Sequence, residues 1–175
     1  MFTKITIHGN IVKVNGGYMK KKLFVLCVLF GGLFCLTGCG KQEANVEGSL
    51  EDLMAKVYEN ISEDNLPMGL TNMTVDEENI EGFLGTKDIE YTEALASESM
   101  IGSFAHSVVL VRAKDAKNIE DVKNTIKENV NPRKWVCVGV EKEDVIIKNK
   151  GDLIIVIIVE NEEVRKELEK GFNEL

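Results

Sequence analysis

The sequence predicts an α+β domain, a two-layer sandwich in which helices pack on an antiparallel sheet of about four strands. Two observations predict it. Three segments repeat apolar residues about every 3.6 positions, which is typical of amphipathic helices. Between them lie short runs rich in valine and isoleucine, which are typical of strands. The expected order is α-β-β-α-β-β-α, with antiparallel strand pairs because the connections are short, and with the helices on one face.

The first predicted helix begins at Ser49, whose side chain can cap it. It ends before Pro67 and Gly69, because proline and glycine interrupt a helix. Residues 70–87 carry only scattered apolar positions and are expected to be irregular. The apolar stripe of the helix consists of Leu50, Leu53, Met54, Val57, Tyr58 and Ile61.

Two strands and a second helix follow. Tyr91–Ser97 is a modest strand candidate, and a turn at 100–104 separates it from Val108–Val111. That second run predicts a strand buried on both faces, because its residues are consecutive and mostly β-branched. The sequence from Asn118 to Asp121 resembles a capping box and predicts the start of the helix.

Pro132 predicts a short extra helix that carries Trp135, since proline suits a first helical position. The single cysteine downstream of position 39, Cys137, is expected to be a small buried apolar residue. A cysteine without a second thiol cannot form an intramolecular disulfide.

The last third of the domain predicts a β-hairpin and a helix. Val145–Ile147 and Leu153–Val159 flank a turn-rich connection at 149–152. The second of these runs, LIIVIIV, is expected inside the sheet, because a fully apolar edge strand promotes aggregation. Asn161 is expected to cap the final helix.

The N-terminal segment differs in charge from everything that follows. Residues 1–38 contain five lysines and no acidic residue. Lys20, Lys21 and Lys22 precede the apolar run 23–36, which at 14 residues is shorter than the roughly 20 that a membrane-spanning helix needs. A basic cluster before a short apolar run is typical of a secretory signal peptide.

The residues that follow this run indicate which kind of signal it is. Leu36, Thr37, Gly38 and Cys39 resemble the lipobox of bacterial lipoproteins. The resemblance implies that the first three are recognised by a signal peptidase, which cuts before Cys39. It also implies that the thiol of Cys39 carries a diacylglyceryl group that attaches the chain to the outer face of the cell membrane.

Four segments are therefore expected. Residues 1–18 are expected to be translated upstream sequence, because Met19 stands directly before the lysine cluster and the preceding glycine codons can form a ribosome-binding sequence. The signal peptide is then 19–38, the lipidated tether 39–48 and the single domain 49–175. From Cys39 onward there are 16 Lys and Arg against 29 Asp and Glu, a net charge of −13.

This acidity excludes nucleic acid as an expected partner, because phosphate recognition needs a basic surface. No enzyme activity, metal or cofactor is expected. A Ser103–His106–Asp115 triad is disfavoured as arbitrary, and Ser107 cannot join His106 because neighbours on a strand point to opposite faces. His106 is expected to be a buried histidine at a strand end. Glycine patterns that cradle phosphates do not occur in the sequence.

A second resemblance covers residues 49–175. It rests on Leu66-Pro67-Met68 after an amphipathic helix, on HSVVLVRAKD at 106–115 and on KGDLIIV at 150–156. These features resemble a family of small lipoproteins from clostridia-type Gram-positive bacteria, built on a domain of unknown function. The family contributes no catalytic residues.

The expected function is a non-catalytic, lipid-anchored module that binds an unknown protein or envelope component. The face of the C-terminal helix or the exposed side of the sheet is the expected surface. A small solute-binding lipoprotein is the alternative, and a ligand pocket between sheet and helix would favour it. A hydrolase is the third interpretation.

Overall fold

The computed structural model describes residues 6–7, 10–11 and 44–175. The expected start at Met19, the signal peptide 19–38 and the lipid attachment site Cys39 lie outside the described residues. Within the expected upstream segment, Thr6–Ile7 and Asn10–Ile11 pair as two short antiparallel strands.

Four helices and five strands, together with three short 3₁₀ turns, make up residues 44–175. In chain order they are α1 (Leu50–Tyr58), β1 (Leu70–Thr74), α2 (Ile80–Leu84), β2 (Tyr91–Ser99), β3 (His106–Ala113), α3 (Ile119–Asn129), β4 (Ile146–Lys150), β5 (Leu153–Val159) and α4 (Glu162–Glu174).

The five strands form one antiparallel sheet in the order β1-β2-β3-β5-β4. The strand β5 lies between β3 and β4, and all seven of its residues are buried. The expectation that LIIVIIV lies inside the sheet is therefore confirmed. The α+β class is confirmed too, but the expected number of about four strands is wrong.

The helices cover both faces of the sheet, so the expected two-layer sandwich with helices on one face is wrong. Helices α1 and α4 pack on one face, together with Val46. Helices α2 and α3 pack on the other. The physical reason lies in β5, where Ile154 and Val156 point to one face while Ile155 and Ile157 point to the other. Each apolar face needs its own covering layer.

The missing strand and an additional helix both come from the segment 70–87, which was expected to be irregular. Strand β1 lies at a sheet edge and exposes Thr71, Asn72 and Thr74, so its sequence shows neither alternation nor an apolar run. Helix α2 buries Ile80 and Leu84 in a single turn, too short for a helical repeat to be visible.

The expected helix ends are partly confirmed. The Ser49 side chain accepts a hydrogen bond from the Asp52 N–H, and that of Asn161 accepts from Glu163 and Val164. Helix α3 begins after Asn118, whose side chain makes no capping bond. The expected helix at Pro132 is wrong: residues 130–141 form a loop that packs Trp135 against the core, and a 3₁₀ turn follows at Lys142–Asp144.

Candidate functional site

Four large apolar side chains remain exposed among residues 44–175, and they lie close together at one end of the sheet. Their exposed fractions are 70% for Met68, 67% for Met100, 39% for Ile101 and 74% for Val136. We call these four residues the apolar tip. Exposed apolar residues that gather in one place, unlike scattered ones, are typical of interaction surfaces.

Backbone hydrogen bonds join the three segments that carry the apolar tip. The Met100 N–H donates to the Gly69 carbonyl at 3.0 Å, and the Val136 N–H donates to the Gly102 carbonyl at 3.3 Å. The Ser99 hydroxyl, at the end of β2, donates to the Met68 carbonyl at 2.9 Å. The chain leading into β1, the β2–β3 turn and the loop after α3 therefore form one surface.

A partly buried cation, Lys134, holds the loop of Val136 against the sheet. The Lys134 Nζ lies 2.7 Å from a Glu98 carboxylate oxygen and 3.4 Å from the Ser107 Oγ. It also lies 4.8 Å and 5.2 Å from the ring centroids of Phe83 and Trp135, a cation–π arrangement. Burial lowers the pKa of Lys134, while Glu98 acts in the opposite direction.

The segment 44–48 lies at the other end of the sheet. The Arg112 guanidinium, near the end of β3, donates to the carbonyls of Val46 at 2.8 Å and Gly48 at 3.0 Å. It also pairs with Glu93 at 2.7 Å and with Asp152 at 3.4 Å. This part of the expected tether therefore lies on the domain. The eight residues of β3 separate it from the apolar tip by about 25 Å.

The backbone of the turn before β5 leaves room for this segment. Gly151 adopts a φ of +57°, and a Cβ added there would lie 2.6 Å from the Ala44 carbonyl oxygen. A side chain at this position would therefore displace the segment that begins at Ala44.

His106 is a buried residue at a strand end, as expected. Its Nε2 lies 2.8 Å from the Tyr58 hydroxyl on α1. Burial lowers the pKa of His106 to about 4, and burial also raises the pKa of Tyr58. Both groups are therefore neutral near pH 7, and one hydrogen bond joins them.

The three residues weighed as a triad do not converge. Asp115 follows the far end of β3, and its carboxylate accepts from the Lys117 N–H at 2.9 Å. Ser103 is exposed in the turn before β3. Ser107 points to the face opposite His106, because it meets Lys134 while His106 meets Tyr58 on α1, as the strand alternation predicted.

A groove lies between α1 and the edge strand β1, beside the Tyr58–His106 pair. Its volume is about 530 Å³, and it is open to solvent. Ligand sites commonly have volumes of roughly 300–1,000 Å³. The lining residues are Met54, Ala55, Tyr58, Leu66, Leu70, Thr71, Asn72 and Ser97.

Of the two surfaces that the sequence suggested, the faces of the sheet are covered by helices, whereas the polar side of α4, which carries Lys166 and Lys170, is exposed. The apolar residues of α4, which include Val164, Leu168 and Phe172, pack into the core. Both faces of the sheet are covered by helices. Cys137, which was expected to be buried, is exposed in the loop of Val136 with a φ of +65°. The expectation rested on the usual burial of a lone cysteine, and here the residue lies in an irregular loop.

The apolar tip itself was missed. The one signal for it in the sequence is the pair Met100-Ile101 inside a segment that reads as a turn, where polar residues are usual.

The helices within 44–175 include none that is both long enough and apolar enough to cross a membrane. Across the same stretch, no three histidine, cysteine or acidic side chains gather closely enough to bind a metal ion.

Comparison of the chain with protein-family models, with curated proteins and with solved structures found no match. The two resemblances drawn from the sequence therefore rest on the residues named above and stay predictions.

Proposed function

We propose that the chain is a lipid-anchored, non-catalytic module at the extracytoplasmic face of the cell membrane, and that it binds a protein or another envelope component. The lipobox-like sequence Leu36-Thr37-Gly38-Cys39 supports the anchor. The apolar tip supports the binding role and is the single observation that carries it, because four large apolar side chains are held outside the core on backbone segments joined by hydrogen bonds.

The short chain between Cys39 and the domain determines which end of the sheet would lie near the bilayer. Cys39 stands five residues before Ala44, so the extended chain between them reaches at most about 18 Å. A diacylglyceryl group supplies two acyl chains, which suffice for stable attachment where one does not. With the segment 44–48 held by Arg112 at one end of β3, the apolar tip would face away from the bilayer.

The tip is tested by crosslinking a tagged full chain in membranes and comparing three proteins. The tip variant carries Met100→Ser with Val136→Ser, and the control carries Lys166→Ser with Lys170→Ser on the exposed side of α4. We expect the tip variant to lose about tenfold in partner yield, because buried apolar contacts dominate interface energy. Equal yield from the wild type and the tip variant would contradict the binding role of the tip.

Binding of a small solute is the second candidate, and the groove between α1 and β1 is the observation that favours it. A solute that fills the groove should raise the melting temperature of the wild type and not that of Ala55→Trp, whose indole would occupy the groove. A panel of amino acids, sugars and short peptides that shifts neither protein would remove this candidate.

A further inference from the structure

Strand β1 leaves part of its backbone without a partner strand. Within residues 44–175 it pairs only with β2, in a register that places Asn72 opposite Ser97. Gly69 and Val75, at either end, exchange hydrogen bonds with the β2 side. Because these directions alternate along an antiparallel strand, the N–H and C=O groups of Leu70 and Asn72 point away from the sheet. At this edge the Thr74 carbonyl is capped by the Asn79 amide at 3.0 Å.

The two edges of the sheet differ in chemistry. On the opposite edge, β4 carries Lys148, which pairs with Glu169, and Lys150, whose Nζ donates to the Asn173 carbonyl at 3.2 Å. Lysines on an edge strand oppose the addition of another strand. In contrast, the sequence of β1, LTNMT, contains neither charge nor proline. Strand β1 is therefore the edge whose residues do not oppose the addition of another strand.

The space above β1 suits the side chains of an added strand. Leu70 and Asn72 lie on the same face as Ser97 and form the floor of the groove, with Tyr58 as part of its wall. A strand placed beside β1 directs every second side chain to this face. The groove is open, so such a side chain can enter it.

The surroundings of β1 change from apolar to acidic along the length of the strand. Before Leu70, the chain carries Met68 of the apolar tip. Beyond Thr74, a second cleft of about 310 Å³ is lined by Glu51, Asp76, Glu77 and Glu93. Of these four carboxylates, Glu93 is paired with Arg112. A segment lying along β1 thus meets apolar side chains at one end and carboxylates at the other.

We propose that β1 binds an extended segment of a partner protein as a sixth strand, with lysine or arginine at the end near Thr74 and apolar residues at the end near Met68. The added strand runs antiparallel to β1, as all neighbours in this sheet do, so its basic residues are on its N-terminal side. Backbone hydrogen bonds supply affinity, and the two ends of the strand supply specificity.

A second copy of the chain fits this edge less well. Two β1 strands paired about a two-fold axis would bring the acidic cleft of one chain against the apolar tip of the other, without charge complementarity. The region from Cys39 onward also carries a net charge of −13, so two copies repel each other.

This inference rests on the proposed interaction function and is tested separately from it, using the full chain purified in detergent. The probe is a fluorescent, capped peptide of two lysines followed by alternating valine and threonine, and an analogue replaces the lysines with glutamates. We expect the lysine peptide to bind and to slow amide hydrogen exchange at Leu70 and Asn72, but not on β4. A failure of this inference is distinguishable from a failure of the proposed function. In the first case the peptide does not bind, while membrane attachment and tip-dependent crosslinking remain.

Variants of the edge sharpen the test. Asn72→Pro removes an outward N–H without touching the β1–β2 ladder, and we expect it to weaken peptide binding by about tenfold or more. If Asn72→Pro fails to fold, Asn72→Lys keeps the backbone N–H, fills the groove, and should weaken binding similarly.

The acidic end is tested by Glu51→Gln with Glu77→Gln, both exposed, against the control pair Glu128→Gln with Glu163→Gln on other surfaces. We expect the first pair alone to lower affinity by about threefold to tenfold at low salt, a difference that high salt removes. Equal binding by the wild type and Asn72→Pro would overturn the proposal. So would a dimer, seen in sedimentation, that Asn72→Pro dissociates, because the occupant would then be a second copy.

Discussion

His106 begins a central strand with its imidazole enclosed between β3 and α1, where the Tyr58 hydroxyl meets its Nε2. Its pKa is about 4 in the folded chain against 6.5 for the free side chain. Between these values the unfolded chain binds a proton that the folded chain does not. The free energy of unfolding is therefore expected to fall as the pH drops from 6.5 to 4, by at most about 3 kcal/mol from this residue.

The variant His106→Gln tests this expectation, because it can accept a hydrogen bond from Tyr58 but does not titrate. The difference in unfolding free energy between wild type and variant, measured by urea denaturation at several pH values, should change with pH between 6.5 and 4. In Tyr58→Phe the change should persist, since burial and not the phenol lowers the pKa of His106. A difference that is constant across this range would refute the assignment.

Cys137 adopts a left-handed backbone conformation in an exposed loop, with a φ of +65°. Residues with a Cβ are strained there, and glycine is not. We expect Cys137→Gly to raise the unfolding free energy by about 1 kcal/mol and Cys137→Val to lower it, because a β-branched side chain fits this conformation least. Chemical denaturation measures both. The same sign for both substitutions would contradict the backbone argument.

At the scale of elements, α1 and α4 pack closely because Gly171 has no side chain. A Cβ added at Gly171 would lie 2.4 Å from the Val57 carbonyl oxygen. We expect Gly171→Ala to lower the unfolding free energy by about 1–3 kcal/mol, since backbone must move apart. Gly82 in α2 is the matched control: a Cβ there meets nothing within 4 Å, so Gly82→Ala should stabilise by about 0.5–1 kcal/mol. A neutral effect at Gly171 would contradict the close packing.

Elements marked by an apolar run or stripe were predictable, and the polar edge strand β1 was not. The run LIIVIIV of β5 and the stripe of α1 record burial directly in sequence, so their type and place were foreseen. Strand β1 is held by backbone pairing with β2. Its exposed residues Thr71 and Asn72 are polar, so the sequence has no apolar pattern that would indicate this pairing. The number of layers was not predicted either. The run LIIVIIV indicates that both faces of the strand are buried, but it does not indicate which helices cover each face.

The candidate site was less predictable than the fold, because it depends on contacts between distant residues. Arg112 holds Val46 across 66 positions, and Tyr58 meets His106 across 48. Tyr58 was placed in the apolar stripe of the first helix and His106 at a buried strand end, but nothing local joins them. Whether Met100 lies over the core or outside it is likewise decided by packing.

At the scale of the whole molecule, the two ends of the sheet have different roles in the proposed function. The segment 44–48 binds Arg112 at one end, and the apolar tip lies about 25 Å away at the other. The open edge β1 runs from the tip toward the acidic cleft, so both binding surfaces would be accessible above a membrane. This arrangement depends on an anchor at Cys39.

The anchor is therefore tested most directly by membrane fractionation of the wild type and Cys39→Ala, with mass spectrometry of the processed N-terminus. The wild type is expected in the membrane fraction, beginning at Cys39 and carrying the mass of a diacylglyceryl group. The variant is expected to be neither lipidated nor cleaved before position 39. A Cys39→Ala chain that is still processed at this position and bound to the membrane would contradict the account.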